Sequence, residues 1–285
     1  MRPSRAVLNF THKCAMSCDW CYVPFGTPPP TLVMVNRIIS RIAELGFNSI
    51  TIGGGDPFQY PFISDALRHA NSSGLFVHVD TNGRNLRQSA TNLSLIEEAV
   101  DLIGLPLEGS KSQIHGQMRN SPNHFDLVCR RVKWLSKLRD RLKINTVVSA
   151  LNANNMLELG ELMKIIAPAR WSLYQYWPLG PAIRAATKHS INDSEFAECT
   201  SILTATTKNS NFTLEINNRE SRRESYPIIH HDGKIFVHRA FPFSEFTSLG
   251  NIFDSNALHL INSTCSGERP QTISRYSTRK QNAMI

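Results

Sequence analysis

Long apolar runs are missing. Nowhere do eighteen apolar residues follow one another, and the opening MRPSRAVLNF holds two arginines but no stretch of signal-peptide length. A cytoplasmic protein without a membrane partner is therefore expected. Acidic residues are scarce beside basic ones, 23 against 31, which leaves a formal charge of +8. Such an excess can attract an anionic small molecule, nucleic acid or a lipid surface. It is spread out, with its densest runs at Arg130, Arg131, Lys133, Lys137, Arg139, Arg141 and Lys143 and at Arg219, Arg222 and Arg223. The first run reads as a solvated helix face, so nucleic acid is not an expected partner. None of the ten histidines falls in the HExxH spacing of a zinc hydrolase. Low-complexity tracts are absent, and 285 residues with 41% hydrophobic content can bury a full-sized core without disulfides.

What is present is alternation. Short β-prone runs at 6–11, 49–52, 75–80, 101–107, 142–149 and 171–176 each lead into a loop. Helical periodicity follows at 31–45, 61–73, 93–100, 124–140 and 155–167. The sequence predicts an α/β fold of parallel βα units, six in number, over residues 1–185. Residues 186–267 read as a smaller C-terminal α/β extension closing the barrel. It should hold a helix at 193–208 capped by Asp193 or Ser194, a strand at 212–216, and a hairpin at 226–237 turning at Asp232-Gly233 in type I′. Residues 268–285 are polar and expected to be mobile.

Cysteine is rare, yet three of the six crowd into one loop as Cys14, Cys18 and Cys21. The spacing C-x3-C-x2-C after a strand can wrap a metal or a cluster. A zinc site needs a fourth ligand, and His12 is near enough in sequence to supply one. On a four-iron cluster, three ligands leave one iron open to a small molecule. Trp20 and Tyr22 flank the third cysteine, where a ring could pack beside an adenine. Gly53-Gly54-Gly55-Asp56-Pro57 follows the second strand and opens on the same rim as the cysteines.

In these motifs the chain resembles the radical S-adenosylmethionine enzymes, the GGGDP stretch standing where that family has its GGEP variant. The resemblance implies a partial (β/α)6 TIM-like barrel. It also implies a [4Fe-4S] cluster on Cys14, Cys18 and Cys21 whose open iron binds S-adenosylmethionine, and a reductant protein such as flavodoxin or ferredoxin. Reductive cleavage of the cofactor would then yield a 5′-deoxyadenosyl radical that abstracts a substrate hydrogen. By the same resemblance Tyr22, Gly53, Gly54, Gly55, Asp56, Asn82 and Ser110 help seat the cofactor.

The second half is similar to the viperin-like branch in LKINTVVSALNANNM, ARWSLYQYWPLG, INDSEFAEC and ESYPIIHHDGKIFVH. That branch dehydrates a nucleoside triphosphate to its 3′-deoxy-3′,4′-didehydro form. Lys143, Asn145 and Arg170 fall where it binds the triphosphate, and Tyr226 where it places the proton donor. Where the branch carries a second phosphate-binding lysine, this chain has Ser172. Loss of that contact removes a charge-assisted hydrogen bond of about 1.5–3 kcal/mol. The alternative is an epimerase or dehydrogenase acting on a sugar, aminoglycoside or peptide, with Cys265 returning a hydrogen atom. A more remote one is a zinc or nucleic-acid-binding module without catalysis. Cys129 and Cys199 read as packing thiols. His238 and Arg239 stand where related chains begin a cysteine-rich extension, so no auxiliary cluster is expected.

Overall fold

Alternation along each strand decides which side meets the helices. The structure, a computed structural model, describes residues 4–11, 13–23, 28–239 and 246–267. In β1 (Arg5–Thr11) the alternate residues Ala6, Leu8 and Phe10 are fully buried in the apolar core. Ile50 and Ile52 of β2 (Ser49–Gly54), Val77 and Val79 of β3 (Phe76–Asp80), and Ile103 and Leu105 of β4 (Leu102–Pro106) join the same core. Ile144 of β5 (Leu142–Val148) and Trp171 and Leu173 of β6 (Arg170–Gln175) complete it. These six strands pair parallel in sequence order, as expected for a partial barrel.

The connecting helices are α1 (Leu32–Glu44), α2 (Ile63–Ser72), α3 (Ala90–Ala99), α4 (Ser112–Arg119), α5 (His124–Trp134) and α6 (Met156–Ile166). In α1, Thr31 caps the first turn by accepting from the Met34 amide at 3.3 Å, and Val35, Ile38, Ile39 and Ile42 form the buried stripe. Each such aliphatic side chain contributes about 1.5–3 kcal/mol of burial. Two differences from the sequence reading lie here. Helix α4 was not expected, because SQIHGQMR is polar with a central glycine. The long helix anticipated over 124–140 stops at Trp134 and continues as a 3₁₀ segment, Leu135–Arg141, kinked at Leu138.

The chain continues through α7 (Ala186–His189), α8 (Asp193–Thr206), β7 (Thr213–Asn217), α9 (Arg219–Arg222), β8 (Ile228–His230), β9 (Lys234–His238), β10 (Phe246–Asn251) and α10 (Ala257–Thr264). Its strands join the barrel sheet. β7 pairs parallel with β6 and β8 parallel with β1, so 186–267 lengthens both ends of one ten-stranded sheet instead of forming a sheet of its own. The cap of α8 is Asn192, in a reciprocal capping box with Glu195, and neither Asp193 nor Ser194. The β8–β9 hairpin has the three-residue loop 231–233, with Gly233 alone at positive φ (+88°), so it is not the two-residue type I′ turn. Residues 268–285, expected to be mobile, lie outside the described residues, as does His12. No helix among the described residues is long and apolar enough to cross a membrane.

The opposite side of the sheet is polar. Arg5, Asn9, Thr51, His78, Lys143, Ser172 and Glu215 are all buried there, on alternate positions to the apolar set. Lys143 pairs in register with Gly104 on one side and Arg170 on the other.

Candidate active site

The loop after β1 brings its three thiols to the wall of one cavity of about 440 Å³. Cys14, Cys18, Cys21 and Tyr22 line it, together with Gly53, Gly54 and Gly55 at the end of β2, Asp80, Thr81 and Asn82 at the end of β3, and Asn145 of β5. Its size suits a cofactor-sized ligand. Gly54 has φ of +105°, and a β-carbon there would lie 3.1 Å from the Phe10 amide nitrogen, so the loop can press against β1 only as glycine.

Helix α4 and the loop after it anchor the cysteine loop. Trp20 Nε1 donates to the Met118 carbonyl at 2.6 Å, and Asn120 Nδ2 to the Ser17 carbonyl at 2.9 Å. Arg119 stacks 4.7 Å above the Trp20 ring, ion-pairs with buried Glu108 and reaches Cys18 Sγ at 3.8 Å. At the far side Asp19 bonds His189 and Lys188, each at 2.8 Å. Arg119 lines the cavity while its charge is paired with Glu108, and its Nε is buried without a partner. The sequence reading passed over it because α4 itself was missed.

A second chain of bonds holds Asn82. The Glu108 amide donates to His115 Nδ1, so His115 carries its proton on Nε2 and donates to His124 Nδ1 at 2.8 Å. His124 Nε2 in turn donates to the Asn82 carbonyl at 2.8 Å. Burial, followed by the Arg119 charge, pushes His115 down to about 2 and His124 down to about 4, so both rings are neutral as this chain of donors requires. Asn82 Nδ2 then donates to Cys14 Sγ at 3.3 Å.

Burial raises the pKa of all three thiols. Cys21 is pushed up to about 12, with the charges of Cys18 and Cys14 adding to the effect, while Arg119 opposes the rise at Cys18. Three thiolates in one cavity repel, and a cationic cluster relieves that repulsion. Among the described residues no three His, Cys, Asp or Glu side chains converge on a single metal ion. A cluster does not demand such convergence, since each thiolate binds a different iron. The donor set and the glycine-lined cavity beside it fit a cluster held by Cys14, Cys18 and Cys21.

Not every expected residue reaches the cavity. Asp56 is fully buried behind it, accepting from Thr81 Oγ1 at 2.6 Å and Asn85 Nδ2 at 3.1 Å, so it ties loops together. Ser110 exchanges hydrogen bonds with Asn155 and is not part of the lining. Cys265 ends α10 inside the apolar core, 4% exposed and pushed up to about 12 by burial, and does not line the cavity. That position offers no support for hydrogen-atom return by its thiol.

From the cavity wall the polar row continues along the strands. Asp80 accepts from His78 Nε2 at 3.0 Å and Asn145 Nδ2 at 2.7 Å. Burial alone would raise its pKa, but His78, Lys143 and Asn145 together hold it well below the usual carboxylate range. Lys143, fully buried, donates to Tyr174 OH at 3.0 Å. Arg170 pairs with Glu215 at 3.3 Å, and Ser172 donates to the same carboxylate. The position that holds a lysine in the viperin-like branch therefore serves here to bind an acid. Tyr226 lies under the Arg5 guanidinium at 4.2 Å and 5.8 Å from the His238 ring.

Comparison with known proteins agrees with this geometry. An S-adenosylmethionine-dependent nucleotide dehydratase of Flammeovirga pacifica is 29% identical over 201 residues, covering 65% of this chain and 67% of that protein. An AdoMet-dependent heme synthase of Oleidesulfovibrio alaskensis is 23% identical over 176 residues, covering 60% of this chain and 45% of that protein. Among solved structures, Streptococcus suis SuiB bound to S-adenosylmethionine superposes with a TM-score of 0.69 at 16% identity, over 98% of this chain and 68% of that one. The anSMEcpe enzyme with bound AdoMet and the Cp18Cys peptide gives 0.70 at 14% identity, over 99% and 86%, which establishes the partial-barrel fold. The Radical SAM superfamily model matches residues 8–163. The chain belongs to the radical SAM superfamily, enzymes that use a [4Fe-4S] cluster and S-adenosylmethionine.

Proposed function

We propose that this enzyme abstracts a hydrogen atom from an anionic nucleotide and dehydrates it in the manner of the viperin-like branch. A bound, reduced cluster would supply the electron for reductive cleavage of S-adenosylmethionine. Cys14, Cys18 and Cys21 would hold that cluster. The Gly53–Gly55 backbone would receive the cofactor's methionine end, Arg119 its carboxylate, and Tyr22 and Asn82 would border the adenosine. Asp56 and Ser110 would act indirectly, by fixing the loops they bond.

On the substrate, a hydrogen atom would leave C4′ of the ribose. The 3′ hydroxyl would then leave as water with a proton from Tyr226, and one electron from the reductant would neutralise the remaining substrate radical cation, which gives the 3′,4′-didehydro product. Lys143 and Asn145 would supply positive charge and an amide near the substrate. The observation that carries this reading is the coincidence of the thiol-lined cavity with this polar row in a chain similar to a nucleotide dehydratase over two thirds of that protein's length. One observation favours a second reading. Glu215 and Ser172 engage Arg170, which lessens the charge available to a triphosphate and suits a hydroxyl-rich or less charged substrate such as a sugar derivative.

The test is an anaerobic assay of reconstituted enzyme with S-adenosylmethionine and dithionite, with and without each nucleoside triphosphate. The expected result is that one triphosphate stimulates 5′-deoxyadenosine formation and loses the mass of water. Cofactor cleavage indifferent to every nucleotide would reject the nucleotide assignment.

A further inference from the structure

Around the rings of Trp177 and Tyr22 stand polar groups with no assigned work. Arg222, at the end of α9, has its guanidinium 5.2 Å from the Trp177 ring centroid and 5.8 Å from that of Tyr174. It donates to the carbonyls of Gln175 and Asn218, which fix the fork without neutralising it. Its neighbours Arg219 and Arg223 pair with Asp193 and Glu220, but among the described residues Arg222 is in no ion pair. A half-buried cation held this way is a standing attraction for an anion.

Two further groups belong to the same cluster. His238 is 3% exposed, with its ring centroid 5.5 Å from Trp177 and 5.8 Å from Tyr22. One ring nitrogen donates to the Arg222 backbone, and Nε2 is buried without a partner. Burial, then the charges of Arg222 and Arg5, brings the ring down to about 3, so that nitrogen is a free acceptor. Trp177, 5% exposed, has its Nε1 buried and unpartnered too, a free donor. Unmet buried polar groups are uncommon and costly, and here a donor, an acceptor and a cation stand together. Tyr22 lines the cofactor cavity and meets His238 edge-on. A ligand held by this cluster would therefore lie beside the cofactor.

We infer that Arg222, Trp177 and His238 form a substrate subsite for a phosphate ester on a hydroxyl-bearing ring, Arg222 taking the phosphate and the Trp177 N–H and His238 Nε2 a hydroxyl. The inference rests on the reading above that the substrate is an anionic small molecule. It places the anion's main partner at Arg222 instead of at the Glu215-bound Arg170.

The test is calorimetric binding to the reconstituted holoenzyme, anaerobic and with S-adenosylmethionine present. The probes are ribose 5-phosphate, cytidine monophosphate, cytidine triphosphate and uncharged cytidine. At least one phosphorylated probe should bind. Arg222→Gln should weaken it by about tenfold to a hundredfold, and Trp177→Phe, which keeps the ring and loses the donor, by about three- to tenfold. Cofactor affinity should be unchanged in both, which reports an intact fold. Should Arg222→Gln not fold, Trp177→Phe decides. A phosphorylated probe whose affinity neither variant alters would overturn the subsite while leaving the nucleotide reading intact. Arg222-dependent binding of ribose 5-phosphate without either nucleotide would support the subsite and remove the nucleotide. If no phosphorylated probe binds, the subsite is refuted.

Discussion

At the scale of single residues, the site depends on side chains that leave room for one another. Gly104 faces Asp80 and Asn145 across β4, and a β-carbon there would overlap Asp80 Oδ1. Gly104→Ala should break the Asp80–Asn145 bond and cost about 1–3 kcal/mol in a urea titration. An unchanged midpoint would mean that this row is looser than its distances suggest. Arg119 joins Glu108, Trp20 and Cys18, so Arg119→Met should leave Glu108 buried and unpaired, a loss of about 3–5 kcal/mol. Weaker binding of S-adenosylmethionine should accompany it. Of the site, the cysteines and Gly53–Gly55 were legible because they are contiguous in sequence. Arg222, Trp177 and His238 were not, because they come from three separate segments that only the folded sheet brings together. Asp56 was read as a cofactor contact because it sits beside the glycines, whereas burial turns its carboxylate away to Thr81 and Asn85.

At the scale of elements, α1 was legible from its 3.6-residue apolar stripe, and the structure adds the Thr31 cap. Helix α4 carries little such stripe, and Gly116 sits inside it because Pro122 packs 3.1 Å from where a β-carbon would be. It nevertheless supplies Arg119 and starts the His115–His124 relay. That relay predicts a pH dependence. Both rings titrate near 6.5 when unfolded and lower when folded, so the unfolded chain binds more protons between about 6.5 and 4. Their stabilising contribution is whole above pH 6.5 and is lost as pH falls through that window. Other groups titrate there as well, so the informative quantity is a difference. The slope of melting temperature against pH should be shallower in His124→Asn than in the unmodified protein, and equal slopes would refute the neutral relay. In α8, Asn192→Ala should remove the capping box at a cost of about 1 kcal/mol, seen in the same melts.

At the scale of the whole molecule, six parallel βα units were legible from alternation, and their partial-barrel arrangement from the family resemblance. The placement of residues 186–267 was not. Pairing of β8 with β1 links residues more than two hundred positions apart, and no local pattern encodes that register. In the same region β9 brings His238 against Tyr22, and His238 in turn meets Tyr226. Radical cleavage of S-adenosylmethionine is proposed at the three-thiol loop. It is tested most directly by anaerobic reconstitution with iron and sulfide, addition of dithionite and S-adenosylmethionine, and quantification of 5′-deoxyadenosine. The account predicts a brown protein with about four irons per chain that forms 5′-deoxyadenosine, with colour and product both lost in Cys18→Ala. A colourless protein that holds one tight zinc and forms no 5′-deoxyadenosine would contradict it.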